Sequence, residues 1–399
     1  MLFYIALSIP IRIAMIGQKG MPNIFGGVER HVDDLTRRLV QHGYDVIVYC
    51  RPWYSRRAKS SLDGVTLVSL PSIHTKHLDT ITHTLFATIH AIRHRADVIH
   101  YHGVGPALLA WLPRLISPAT RVLVTFHSID RKHQKWGLLA RFCLKLGERC
   151  AVYLPHQTIA VSRTIEQYIR DVYDRNAKYI PNGINLPTES DTVSPIRRWR
   201  LEPQRYILFV SRLIPHNGAL DLIAAWLLLS ARQPASVQNK KLVIVGGGHY
   251  TSAYVKKLKK LAADDRSIVF TGFQSGRTLQ ALFAEALFMV HPSQNEGLPI
   301  NVLEGMGHSL PVLLSDIIEH QDLIRNPEYL FRQGDIESLA TRLAQLLNKS
   351  PALLQKQGQK NAEMVRREYT WDKIIDSYIE LYEQNKRETL AVEPLPAGR

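Results

Sequence analysis

Short apolar runs recur along the whole chain, each followed by a segment with helical spacing of its apolar positions. In the first half the runs are Ile11–Ile16, Asp45–Cys50, Val65–Ser69, Asp97–Tyr101, Val122–Phe126 and Thr158–Val161. In the second half they are Ile207–Val210, Leu242–Val245, Ile268–Thr271, Phe288–His291 and Val312–Leu314. Strand, helix, strand in this order predicts parallel sheets with helices on both faces, built twice. The clearest helix is Val28–Gln41, with Val28, Val32, Leu35 and Leu39 on one stripe and Glu29, Asp33, Asp34, Arg37 and Arg38 off it. Asn182-Gly and then Pro187–Pro195 read as the break between halves. The bounds that follow are a first domain over 1–190, a linker over 191–204 and a second domain over 205–370. A closing helix over 371–386 should pack back toward the first domain, and 387–399 reads as a disordered tail.

The 399 residues suit two domains of about 200 each. Three cysteines (Cys50, Cys143 and Cys150) form neither a disulfide framework nor a metal spacing, so a reducing compartment is expected. No apolar run approaches the ~20 residues that span a bilayer, and the Leu2–Leu7 stretch reads as a short extension without a basic leader region.

Charge changes this picture. The formal net charge is +15, and it is uneven. Residues 1–190 hold 24 basic and 13 acidic side chains, a surplus of 11; the remainder holds 26 and 22, a surplus of 4. A basic first half attracts phosphates, whether of nucleic acid or of an anionic leaflet. The run Arg51-Pro-Trp53-Tyr54-Ser-Arg56-Arg57 mixes basic and aromatic groups and is expected to face such a surface. No recognition helix or base-stacking motif accompanies it, so nucleic acid is not expected as a partner.

Candidate chemistry concentrates at strand ends, where ligands bind in doubly wound folds. Glu296-Gly-Leu-Pro-Ile-Asn-Val-Leu-Glu304 follows the Phe288–His291 run. With Pro299 in the first turn of a helix, Glu296 stands at its mouth and Glu304 two turns in. Eight residues at about 100° each come to about 80° past two turns, so both carboxylates can line one rim. The amides of Gly297 and Leu298 then point out from the positive helix end, a setting for a polyhydroxylated ligand carrying phosphate. Gly26-Gly27 opens the Val28 helix and lets backbone approach a diphosphate, though the spacing is not the dinucleotide fingerprint. Arg212, just after Ile207–Val210, can clamp phosphate oxygens in fork geometry. Gly246-Gly-Gly248 and Thr271-Gly-Phe273 could hold a planar base or be only turns. His100, His102 and His127 also end strands; without a thiolate or carboxylate at ligand spacing, no metal site is expected.

Together these segments resemble the retaining nucleotide-sugar glycosyltransferases of family 4, which have the GT-B fold: two Rossmann-like parallel-sheet domains facing a central cleft. The resemblance spans nearly the whole chain. It is carried by Gly26-Gly27-Val-Glu-Arg-His31, His127, Pro181-Asn-Gly-Ile184, Ser211-Arg-Leu-Ile-Pro215, Val245–Gly248, Thr271–Phe273 and Pro292-Ser…Glu296…Glu304, the last matching the family's Glu-x7-Glu signature. It implies that Glu304 binds the ribose and that Glu296, with Gly297 and Leu298, holds the transferred sugar. It implies that Arg212, helped by Gly26-Gly27, neutralises the diphosphate, and that His127 bonds the sugar near the reacting carbon. The catalytic set would be Glu296, His127 and Arg212. Donor binding would fall to Gly26, Gly27, Asn217, Gly248, Phe273, Gly297, Leu298 and Glu304. No cofactor or metal is implied beyond the nucleotide-diphosphate sugar, a co-substrate.

Two positions depart from that pattern. Asn217 replaces the usual Lys before the glycine of Arg-x-x-Pro-x-Lys-Gly, and Ser309 stands where a helix-ending Gly is common. Loss of one of two cations on a developing charge can cost about 10²-fold in rate, for which Lys19 or Arg51 are candidate substitutes. The expectation is a hexosyltransferase of cell-surface polysaccharide synthesis with a glycan or lipid-linked acceptor. It would be cytoplasmic and peripheral on the inner membrane face through Trp53, Tyr54, Arg56 and Arg57. A catalytically weak nucleotide-sugar-binding homologue is the alternative.

Overall fold

Every apolar run of the sequence becomes a strand, and the strands form two sheets. The computed structural model describes residues 10–22, 26–54, 60–75, 78–129, 137–187, 195–248 and 251–392. The chain divides into one unit of Met1–Asn182 with Ile374–Arg399 and a second of Gly183–Lys373.

In the first unit the strands are β1 (Arg12–Ile16), β2 (Asp45–Cys50), β3 (Ser61–Leu62), β4 (Val65–Ser69), β5 (Val98–His102), β6 (Arg121–Phe126), β7 (Gln157–Ala160) and β8 (Lys178–Tyr179). Their order is β3-β4-β2-β1-β5-β6-β7-β8. All pairs are parallel except β3 with β4, whose two residues are too short to show as a sequence pattern. Helices α1 (Gly27–Gln41), α2 (Leu78–Arg93), α3 (Trp111–Ile116), α4 (Leu138–Tyr153) and α5 (Arg163–Tyr173) connect them. Parallel strands buried on both faces account for the continuous apolar runs, such as Ile13–Ile16 with no exposure. In α1 the stripe Val32, Leu35 and Leu39 is buried, as its spacing requires. Ser162 caps α5 by accepting from the Ile165 amide at 3.2 Å.

The second unit has β9 (Tyr206–Val210), β10 (Lys241–Val245), β11 (Ile268–Gly272), β12 (Phe288–His291), β13 (Val312–Ser315) and β14 (Leu330–Phe331), in the all-parallel order β11-β10-β9-β12-β13-β14. Around them lie α6 (Ala219–Arg232), α7 (Pro234–Val237), α8 (Ser252–Leu261), α9 (Gly276–Ala284), α10 (Ile300–Gly307), α11 (Ile318–Gln321), α12 (Ile336–Leu347) and α13 (Pro351–Glu368). The strand order reverses between β1 and β5 in one sheet and between β9 and β12 in the other. These are the switch points where such sheets open a crevice at their carboxyl ends.

A last helix, α14 (Trp371–Val392), follows. From Ile374 on it belongs to the first unit, where Tyr378 and Tyr382 are buried and Tyr44 donates to Glu383 at 2.9 Å. The tail read as disordered from 387 is therefore helical as far as Val392. Of the proposed linker, Pro195–Trp199 is a 3-10 helix with Ile196 buried, and 191–194 lie outside the described residues. The Leu2–Leu7 extension lies outside them too. Ser309 takes a left-handed φ of 60°, which explains why a glycine suits that position. Among the described residues no helix is long and apolar enough to cross a membrane.

Candidate active site

At the switch point of the second sheet, the loops after β9 and β12 are stitched together by their backbones. The Gln294 amide donates to the His216 carbonyl at 2.8 Å. Gly218, at φ 73°, lies so close to Pro292 that a Cβ would come within 2.1 Å of its carbonyl oxygen. Only glycine fits both the conformation and the approach. Arg212 sits exposed on the first of these loops and Glu296 on the second.

Glu296 is held by a defined chain of hydrogen bonds. The Asn301 amide nitrogen donates to the Val210 carbonyl and to His291 Nδ1 at 3.3 Å. Because Nδ1 accepts, the imidazole proton is on Nε2, which donates to Glu296 Oε1 at 2.9 Å. Burial opposes ionisation of Glu296. The His291 bond, the nearby His291 and His320 rings and the Ser293 hydroxyl outweigh it and hold the carboxyl at about 2. Burial, reinforced by His291, pushes His320 down to about 3. Ser315 anchors this ring and donates to the Ser293 carbonyl at 2.5 Å. The result is an ionised carboxylate, 21% exposed, fixed in direction at a sheet's carboxyl end. It can accept hydrogen bonds from hydroxyls without needing proton transfer.

Several sequence-derived placements change. Pro299 caps α10 instead of entering its first turn, with φ −74° and ψ 107°. Glu296 thus precedes the helix by four residues and Glu304 lies about one turn inside, half-buried. Helical arithmetic between the two carboxylates does not apply, because a loop separates them. Gly297 and Leu298 are buried in that loop, ahead of the cap. Asn217, expected among the donor-binding groups, is 5% exposed and turned inward. Its amide nitrogen donates to Ser211 Oγ at 2.5 Å and to the Arg212 carbonyl at 2.9 Å. It therefore shapes the Arg212 turn, and that nitrogen is spent. Gly248 and Phe273 are exposed at the ends of β10 and β11, with Phe273 Cβ about 4.0 Å from where a Gly247 Cβ would stand.

In the first unit, Gly26 caps α1, and the Glu29 carboxylate folds over it: a Cβ on Gly26 would lie 1.8 Å from Glu29 Oε2. Lys19 pairs with the same carboxylate at 3.2 Å, and Arg51 is buried against Asp79 at 2.9 Å. Both substitutes considered for the missing lysine are thus in ion pairs, and the α1 N-terminus already faces an anion of its own. Tyr54 is buried and the half-buried Trp53 donates to Asp79 at 3.2 Å, so neither builds the expected exposed surface. Arg56 and Arg57 lie outside the described residues.

His127 joins a cluster that sequence spacing only half revealed. The ligand atoms of His31, His102 and His127 lie within 4.8 Å of one another. That distance would admit a metal. His102 Nδ1 meets His127 Nε2 at 3.2 Å, and His31 Nε2 meets the Tyr378 hydroxyl at 3.3 Å. His100, the third member of the sequence-derived trio, instead bridges Tyr382 at 2.8 Å and Thr125 at 2.7 Å. Burial pushes all four imidazoles down, His100 and His127 to about 3. The cluster is a neutral hydrogen-bonded network. His291, Asn301 and His320 escaped the sequence pattern. The only sign was a histidine ending a buried strand directly before Pro292-Ser293.

Comparisons with known proteins fit this geometry. Residues 25–187 match the model of Glycosyltransferase Family 4, and residues 196–364 that of Glycosyl transferases group 1. Sucrose-phosphate synthase from Thermosynechococcus elongatus superposes with a TM-score of 0.79 at 20% identity, covering 96% of this chain and 100% of that one. The fold is therefore GT-B. An uncharacterised glycosyltransferase of Methanocaldococcus jannaschii is 26% identical over 345 residues, 79% of this chain and 83% of the relative. The GDP-mannose-dependent alpha-(1-6)-phosphatidylinositol monomannoside mannosyltransferase of Mycobacterium tuberculosis is 26% identical over 374 residues, 88% of this chain and 92% of the relative. The chain belongs to the family 4 glycosyltransferases.

Proposed function

We propose that this glycosyltransferase moves a hexose-type sugar, with retention of configuration and without a metal ion, from a nucleotide-diphosphate donor to a glycan or lipid-linked acceptor. The observation that carries the reading is the ionised Glu296, directed by His291 at the switch point of the second unit. An oriented carboxylate suits the hydroxyls of a sugar. Arg212, one loop away, suits the diphosphate and stabilises charge on the leaving group. Glu304 takes the ribose, with Gly297 and Leu298 beside the sugar. Gly248 and Phe273 stand at strand ends where a base can lie. In the first unit His127 is the half-buried imidazole offered to a ligand. The mycobacterial relative is named for a lipid-linked acceptor. By analogy, and because the basic surplus lies in residues 1–190, we place the protein on the cytoplasmic face of an anionic membrane, in cell-surface polysaccharide synthesis.

A second reading is motivated by Asn217. With its amide nitrogen turned inward and Lys19 and Arg51 in ion pairs, one cation is missing from the donor diphosphate. That favours a slow enzyme or a nucleotide-sugar-binding homologue.

A thermal-shift screen of UDP-, GDP- and ADP-sugars with a chelator present tests the donor. One of them at 100 times its Kd should stabilise the protein by about 2.7 kcal/mol. No shift with any of the three, or a shift only when a divalent ion is restored, overturns the reading.

A further inference from the structure

The first unit carries an outward face on α2, α3 and α4 that is both apolar and cationic. Right-handed crossovers place α2, α3, α4 and α5 on one side of the first sheet. There α2 and α4 both pack on the 3-10 turn Pro106–Leu109 that leads into α3. On this side α4 runs against the usual rule. Gly147, Glu148 and Ala151 are buried, while Phe142, Leu146 and Tyr153 form an exposed stripe. At 100° per residue those three fall within about 40° of one another. Phe142 is 67% exposed, and on the neighbouring α3 Leu115 and Ile116 are 72% and 61% exposed. Trp111 and, on α2, Phe86 extend the patch.

On α2, α3 and α4 the exposed charges are of one sign, and the acidic side chains exposed on this side, Asp171 and Asp174, belong to α5 and its C-terminal end. Arg93, Arg114, Arg141, Lys145 and Arg149 are exposed on these helices. Their only carboxylates are Asp79 and Glu148, and both are buried. Asp79 is paired with Arg51, and Glu148 accepts from Tyr168 and Tyr173 at 2.8 and 2.7 Å. Arg114 also donates to His156. Exposed apolar side chains interleaved with long cations, with no exposed anion on these three helices, match an anionic bilayer: the aliphatic stems reach phosphate level while the apolar tips pass below it. A nucleic acid would leave Phe142, Leu115 and Ile116 without a partner.

We propose that the outer face of α3 and α4, flanked by α2, is a membrane-docking surface for anionic lipid. It deepens the membrane part of the functional reading above, but it does not require sugar transfer. Flotation of the full chain with vesicles of phosphatidylcholine, alone or mixed with phosphatidylglycerol, tests it. The wild type should float with the mixed vesicles at low salt, less so as salt rises, and not with phosphatidylcholine alone. The double variant Phe142→Ser, Leu146→Ser and the triple variant R141E, K145E, R149E should each lose about tenfold or more in partitioning, while K256E, K259E, at exposed lysines on α8 of the second unit, stays within about twofold of wild type. The charge variant leaves the apolar stripe intact, so a folding defect in the serine variant does not spare the proposal. No wild-type flotation overturns it. So do α4 variants that float like wild type, or a dimer in sedimentation that Phe142→Ser, Leu146→Ser dissolves while vesicle binding persists. A chain that floats but takes up no nucleotide sugar refutes the donor reading and leaves this surface standing.

Discussion

Replacing Glu296 with alanine should lower the transfer rate by about 10²-fold or more, the cost of removing one preorganised group from a charge-developing site. The loss has two parts. The carboxylate is the terminus of the Val210–Asn301–His291 chain, so its removal leaves the buried His291 Nε2–H without its acceptor. An orphaned buried donor costs about 1–3 kcal/mol of stability. Glu296→Gln separates these parts, because its amide oxygen still accepts from His291 while the charge is gone. The glutamine variant should melt near the wild type and still transfer slowly. A glutamine variant with full activity would show that the negative charge is not used.

Mild acid should destabilise the first unit well before it touches Glu296. In the unfolded chain each histidine titrates near 6.5, whereas burial, aided by the repulsion of neighbouring imidazoles, holds His100 and His127 at about 3 in the fold. Between those values the unfolded chain binds more protons. Stability is therefore complete above 6.5 and falls as pH drops toward 3. Each such group costs about 1.4 kcal/mol per pH unit in that window, hence about 2 kcal/mol by pH 5. His31 and His102, also pushed down, add to the slope. Glu296 acts in the same sense but later: its depressed pKa contributes stability above about 4.5 that is lost only as pH falls toward 2. Urea midpoints at pH 7 and pH 5 check this. His100→Gln, which can still bond Thr125 and Tyr382, should flatten the dependence. Equal midpoints at the two pH values in the wild type would contradict it.

What the sequence made legible was whatever depends on periodicity. Eleven apolar runs became strands, because a strand buried on both faces has no polar positions to interrupt it. The loops that carry Arg212 and Glu296 were legible for the same reason, since they follow such runs directly. Side-chain direction was not. Whether Asn217 faces a ligand or its own turn depends on Ser211 and Arg212, and no spacing rule encodes that. The carboxylate of Glu29 folds over Gly26 because that residue lacks a Cβ, a contact visible only in three dimensions. Tyr54, read with Trp53 as part of an exposed basic and aromatic run, is buried. In α4 the inward Glu148, satisfied by Tyr168 and Tyr173, inverts the ordinary pattern. The two-residue strands β3, β8 and β14 are too short for any period to register.

The division of labour between the two glutamates tests the account most directly. Calorimetric titration should compare a nucleoside diphosphate with its sugar ester in wild type, Glu304→Ala and Glu296→Ala. Glu304→Ala is expected to weaken both ligands by about tenfold or more, the cost of a lost charge-assisted bond, whereas Glu296→Ala weakens only the sugar ester. If both variants bind both ligands as the wild type does, neither carboxylate grips a donor and the proposed site is wrong.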